Sequence, residues 1–241
     1  MVLYSSLKNS IKKHVKVVKQ NDHVIWLSLT NLVNSLDSKI FICAVYVPHE
    51  KSVHRDLEND EFLSIQKDIE KFSSQGIVYP LGDWNSRTGD LLDYVDSKNI
   101  LDLPLFVGGL PGGSRRLNDD KKVNAHGRKL IELCKTSGYE IQNGRYNDSS
   151  RCFTCFRYNG QSAVDYLLSK NENTALIKNF IVQPRTIDSD HCALTFSLPA
   201  KTKTESLKTC GEKQKRHIKR YKWDSSELSN IMIISQKRRV N

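Results

Sequence analysis

Nothing in this chain of 241 residues approaches the roughly 18 consecutive apolar residues that a membrane-crossing helix needs. Met1 to Ser10 lack the apolar core and small-residue cleavage site of a secretory signal. The sequence therefore predicts an intracellular protein, nuclear or cytoplasmic, with no membrane partner, whose six cysteines stay reduced. No internal repeat is visible. Gly108-Gly109 and Gly112-Gly113 have neither a preceding strand nor the Lys-Ser/Thr ending of a phosphate-binding loop, so they read as turn glycines. Acid is missing from the first 20 residues, which hold five lysines. Oligomeric state is left open by all of this.

What is present is positive charge, +10 net, unevenly placed. Residues 201–241 hold twelve Lys/Arg against four Asp/Glu, whereas residues 1–200 hold 25 against 23. Apolar periodicity also fails after Pro199. The sequence thus predicts one domain over 1–200 and a basic linker or tail over 201–241. A basic segment suits nucleic acid, because each phosphate it neutralises releases condensed counterions. A solvated linker has the same composition.

Within the body, β-branched and aromatic runs alternate with helical patterns. Strands are expected at His23–Leu29 and Ile40–Val47, the second stopped by Pro48, and at Ile77–Leu81. Phe62, Ile65, Ile69 and Phe72 recur at helical spacing within Glu61–Phe72. A second helix is expected over Gly127–Ser137, ended by Gly138. Between Leu91 and Asn124 glycine, proline and charge predict a long loop region. Further strands are expected at Tyr139–Gln142, Cys152–Phe156, Ala163–Leu168 and Ala193–Leu198.

Three polar clusters follow or open these strands: Asp83-Trp84-Asn85, Asp165-Tyr166 and Ser189-Asp190-His191. A carboxylate, an amide and an imidazole on one rim can bind a divalent cation, orient water and stabilise a phosphorane-like transition state. Taken singly, Asp83 can cap a turn and His191 can be a structural histidine. Cys152-x-x-Cys155 has zinc-ligand spacing but no second pair, so strand packing is the expected role.

Leu81-Gly82-Asp83-Trp84-Asn85 resembles the Gly-Asp-Phe-Asn motif of the endonuclease/exonuclease/phosphatase superfamily. Asp165-Tyr166 is similar to that family's Asp-Tyr strand, Ser189-Asp190-His191 to its Ser-Asp-His motif, and Ala44-Val45-Tyr46-Val47-Pro48 to its tyrosine strand. The segment from Val123-Asn124 to Asn143-Gly144-Arg145 resembles the branch of non-LTR retrotransposons and craniofacial-development-protein-like host genes. Lys222-Trp223-Asp224 resembles the stretch joining such an endonuclease to a reverse transcriptase. The fold implied is α/β: a four-layered sandwich of two packed β-sheets flanked by helices, deoxyribonuclease I-like, lacking its first strands. The chain opens at Met1-Val2-Leu3-Tyr4, similar to the region just after those strands, and no counterpart of the family's metal-binding glutamate is found.

The resemblance implies a magnesium-dependent endonuclease that nicks DNA through its phosphate backbone, with Mn2+ able to substitute. Asp83 would activate water, Asn85 would hold the scissile phosphate, His191 would donate to a phosphate oxygen, and Asp165 would orient His191. Tyr46 would contact the phosphate, although its apolar neighbours also suit a core aromatic. Asp190 would bind the metal, and Thr154 and Asn143 would touch substrate. Without the glutamate the metal is expected to bind weakly. The alternatives are a catalytically degenerate nucleic-acid-binding module and a phosphatase of the same fold.

Overall fold

The computed structural model describes residues 13–30, 39–50, 52, 60–95, 114–146, 151–199 and 230–235. The chain start at Met1–Tyr4, the lysines before residue 13, the glycine pairs at 108–109 and 112–113, and Lys222-Trp223-Asp224 lie outside them.

The polypeptide builds a mixed sheet from β1 (Val15–Gln20), β2 (Val24–Leu29), β3 (Lys39–Tyr46), β4 (Gly76–Asp83), β5 (Tyr139–Ile141) and a later strand, Asp165–Lys170. Between β5 and that strand lies a hairpin of β6 (Cys155–Arg157) and β7 (Gly160–Ser162), which makes the later strand β8. The sheet order is β1-β2-β3-β4-β8-β5, and β3 and β4 run parallel while every other pair is antiparallel. A parallel pair needs a crossover, and helix α1 (Glu61–Ser73) lies on the chain between β3 and β4. Asp60 caps it by accepting from Phe62 N at 3.0 Å. Helix α2 (Ala125–Ser137) is capped by Asn124 and stopped by Gly138 at φ 68°, a left-handed residue suited to glycine.

Strand periodicity assigns each residue to a face. In β3, Phe41, Cys43 and Val45 point to one core with Val78 of β4 and with Phe62, Ile65, Ile69 and Phe72 of α1. Leu130, Ile131, Leu133 and Cys134 of α2 join them. The alternate residues Ile40 and Ile42, with Ile77, Tyr79 and Leu81 of β4 and Leu167 of β8, point to the other face. There they meet Phe180 and Val182 of β9 (Lys178–Val182) and Leu194, Phe196 and Leu198 of β10 (Leu194–Pro199). The protein is therefore mixed α/β with two sheets packed face to face and helices covering the larger one. Among the described residues, no long helix covers the far side of the second sheet; only the four-residue α3 (Asn171–Thr174) precedes it.

The expected strands and both helices are present, with shifted ends. The strand expected from Cys152 begins at Cys155, and that expected from Ala163 begins at Asp165. β1 and β9 were not foreseen: their mixed lysine and apolar sequences lack a clean alternation. The segment expected as a tail also contains a strand, β11 (Asn230–Ser235), which pairs antiparallel with β10. Its β-branched run, NIMIIS, has the propensity for that place. No helix among the described residues is long and apolar enough to cross a membrane.

Candidate active site

The ends of β3, β4 and β8 and the start of β10 meet on one rim. Parity brings the acids together: Asp83 shares the face of Leu81, and Asp165 that of Leu167, so both carboxylates point towards the second sheet. The antiparallel register places Asp83 directly opposite Asp165. Like charges so placed repel. The chain entering β10 answers that repulsion with His191, which is 1% exposed.

His191 Nδ1 lies 2.9 and 3.1 Å from the two Asp165 oxygens, and Nε2 lies 3.9 Å from Asp83 Oδ2. Burial pulls the imidazole towards the neutral form. Hydrogen bonding by Asp165 and then Cys155, with the charges of Asp165 and Asp83, outweighs burial and raises its pKa from 6.5 to about 11. The ring is thus a buried cation between two carboxylates, and Nε2 has no hydrogen-bond partner. Ser189 Oγ accepts from His191 N at 3.0 Å and fixes the approach to the ring.

Asp165 is held from behind. Thr154 is fully buried; its hydroxyl donates to Asp165 Oδ2 at 2.7 Å and accepts from the amides of Val164 and Asp165 at 3.0 Å. Asn143 donates to Asp165 O at 3.1 Å and accepts from Leu167 N at 3.1 Å, satisfying one edge of β8 like a piece of neighbouring strand. Both residues, expected to touch substrate, bond to β8 behind Asp165 in this structure.

Gly82 makes the β4 rim possible. At φ 144°, a Cβ there would come 2.1 Å from Val45 O of β3. Immediately after it, Asp83 Oδ1 accepts from Asn85 N at 3.0 Å, holding Asn85 at φ 46°. The Asn85 amide donates to Val47 O at 2.7 Å. Its own carbonyl accepts from Asn124 Nδ2 at 2.9 Å, while Asn124 Oδ1 accepts from Arg87 N and Gly127 N. One asparagine therefore joins the rim loop to the start of α2, a role that its helix-capping position announced only in part. Tyr46, half-buried, stands beside Asp83 in the parallel register.

Asp190 occupies the outer corner. It is half-buried, and Oδ2 lies 3.5 Å from Nε of the exposed Arg157. Ligand atoms of Asp83, Asp165 and His191 lie within 4.8 Å of one another, as do those of Cys155, Asp190 and His191. The carboxylates of Asp83 and Asp190 are hard oxygen donors of the kind magnesium takes. Asp165 is committed to Thr154 and His191.

The chain is similar in fold to solved nucleases. One is the endonuclease domain of TRAS1, a telomere-specific non-LTR retrotransposon: 15% identity, 81% of this chain and 70% of that one, TM-score 0.48. A 3′-5′ exonuclease from Neisseria meningitidis has 15% identity, 77% and 70% coverage, and TM-score 0.46. An AP endonuclease from Leishmania major has 13% identity, 70% and 52% coverage, and TM-score 0.48, so this chain spans about half its length. No protein-family model and no curated protein matches the sequence. At these identities and TM-scores the likeness assigns no residue a role, and the roles rest on geometry.

Proposed function

We propose that this rim hydrolyses phosphodiester bonds in DNA with a divalent cation, preferentially magnesium, nicking one strand as retrotransposon-type endonucleases do. The observation that carries the proposal is the buried imidazole between two opposed carboxylates, with Nε2 unpartnered at a rim of strand ends. Such an arrangement suits a substrate whose negative charge grows during reaction.

Asp83 takes a proton from water as the water oxygen attacks phosphorus. The bond from phosphorus to the 3′-oxygen breaks, that oxygen takes a proton from solvent, and the phosphate stays on the 5′ side. His191 donates a hydrogen bond to a non-bridging oxygen and, with its raised pKa, is charged throughout the neutral range. Asp165 orients the ring through Nδ1, and Thr154 and Asn143 hold Asp165. Tyr46, beside Asp83, contacts the phosphate, and Asn85 reaches it by exchanging the bond its amide donates to Val47 O. Asp83 and Asp190 would hold the cation, which when bound neutralises phosphate charge. DNA is the partner, through its backbone, and the basic stretch within 201–241 adds contacts without sequence preference.

Incubation with supercoiled plasmid tests this reading. Open circles should form in magnesium, cease with a chelator and return with manganese, and a ligase alone should reseal them because the ends are 3′-hydroxyl and 5′-phosphate. Folded protein that leaves the plasmid supercoiled at saturating magnesium and manganese would refute it.

A further inference from the structure

Cys152-x-x-Cys155 offers no second pair of ligands along the chain, but the fold supplies partners to one member of it. Cys155, in β6, is bridged to His191 at the backbone and is buried as a free thiol. Phe156 N donates to Asp190 O at 2.7 Å, and Cys192 N donates to Thr154 O at 2.7 Å, so β6 and the segment 190–192 are fixed against each other. Ligand atoms of Cys155, Asp190 and His191 then lie within 4.8 Å of one another.

We propose that Cys155, Asp190 and His191 form a zinc site overlapping the phosphate-binding corner, so that a bound zinc ion withdraws His191 from substrate. The donor set is one sulfur, one nitrogen and one oxygen. That is the borderline-soft mixture zinc takes, whereas magnesium prefers oxygen throughout. Tetrahedral bonds of about 2.0 to 2.3 Å place ligand atoms about 3.3 to 3.6 Å apart. Closing the present separations thus asks for about 1 Å of side-chain movement.

Asp190 has that freedom, being half-buried and held by the exposed Arg157. The ring has a nitrogen to give: it is 1% exposed, Nδ1 is engaged by Asp165, and Nε2 has no hydrogen-bond partner. A carboxylate on the other nitrogen of a ligating imidazole is the usual support for such a ligand. Binding releases the Cys155 thiol proton and one imidazolium proton and changes no oxidation state. A fourth position is left to water, as in sites that exchange their metal.

The metal site stands on its own geometry; only its effect on catalysis rests on the nuclease reading. The test therefore uses the full-length protein without DNA. Cobalt(II), a stand-in for zinc, should give one equivalent of tetrahedral d–d absorption with a thiolate-to-metal charge-transfer band in the near ultraviolet, and zinc should abolish both. Cys155→Ser should lose the charge-transfer band and bind zinc at least a hundredfold more weakly. Arg157→Gln, exposed and remote from the core, should bind zinc severalfold more tightly because Asp190 loses its competing cation. A charge-transfer band that survives in Cys155→Ser, no band in the folded parent, or zinc affinity unmoved in Arg157→Gln would each overturn the proposal. Plasmid nicking plays no part in these readings, so they fail or succeed separately from the proposed function.

Discussion

Asp83 and Asp165 face each other across neighbouring strands, with His191 as the charge that reconciles them. Their pairing has a pH signature. The histidine's pKa is higher folded, about 11, than its ordinary 6.5, so its charge stabilises the fold fully below about pH 6.5. That contribution is lost as pH rises through the folded value. Compared with His191→Gln, the parent should hold its full stability advantage at pH 6, lose it steadily from about pH 6.5 upward and have lost most of it towards pH 11, in paired urea titrations. An advantage already gone at pH 8 would place the imidazole outside this cage. Thr154 and Asn143 show the limit of motif reading at this scale. Their residue types fit a phosphate contact as well as a strand support, and only the ladder around β8 shows the bonds that both make to that strand.

At the scale of elements, the rim depends on how closely β3 and β4 approach at Gly82. Replacing it with alanine forces a Cβ to within 2.1 Å of Val45 O at a φ suited to glycine alone, and the atom it meets is backbone. Gly82→Ala should cost at least about 3 kcal/mol in denaturant unfolding, by prising the strands apart where Asp83 begins. A loss under about 1 kcal/mol would show that the strands yield easily there. Helices and buried strands were legible because their patterns are local: Phe62, Ile65, Ile69 and Phe72 mark one face of α1, and Ile40–Val47 reads as continuous apolar strand. Edge elements were not. β1, at the sheet edge among the described residues, carries an exposed Lys16 and a Lys19 paired with Asp68 that blur the alternation, and β11 finds β10 from more than thirty residues away. The order of Asp83, Asp165 and His191 could be read along the chain; their facing register could not, because parity becomes meaningful only once β4 and β8 pair.

For the whole molecule, charge and chemistry occupy separate places. A basic cleft of about 520 Å³, lined in part by Lys13, Lys16, Lys39 and Lys71, opens at the end of β3 away from Asp83. On the proposed function, the basic stretch beyond residue 200 adds further phosphate contacts. Deleting it would also remove β11 from β10, so substitution is the cleaner probe. Changing Lys213, Lys215, Arg216, Lys219, Arg220 and Lys222 to glutamine should weaken DNA binding. Its salt dependence should flatten by about 0.9 in slope for each phosphate that is no longer neutralised. An unchanged slope would make the stretch a linker.

On the proposed function the opposed acids serve chemistry at a cost in stability, and Asp83→Asn tests both halves together. The asparagine keeps an oxygen for Asn85 N but removes one of two facing charges. Plasmid nicking should fall at least a hundredfold, about 2.7 kcal/mol in the barrier, while the thermal midpoint stays level or rises. A folded Asp83→Asn protein that nicks at the parent's rate would contradict the account.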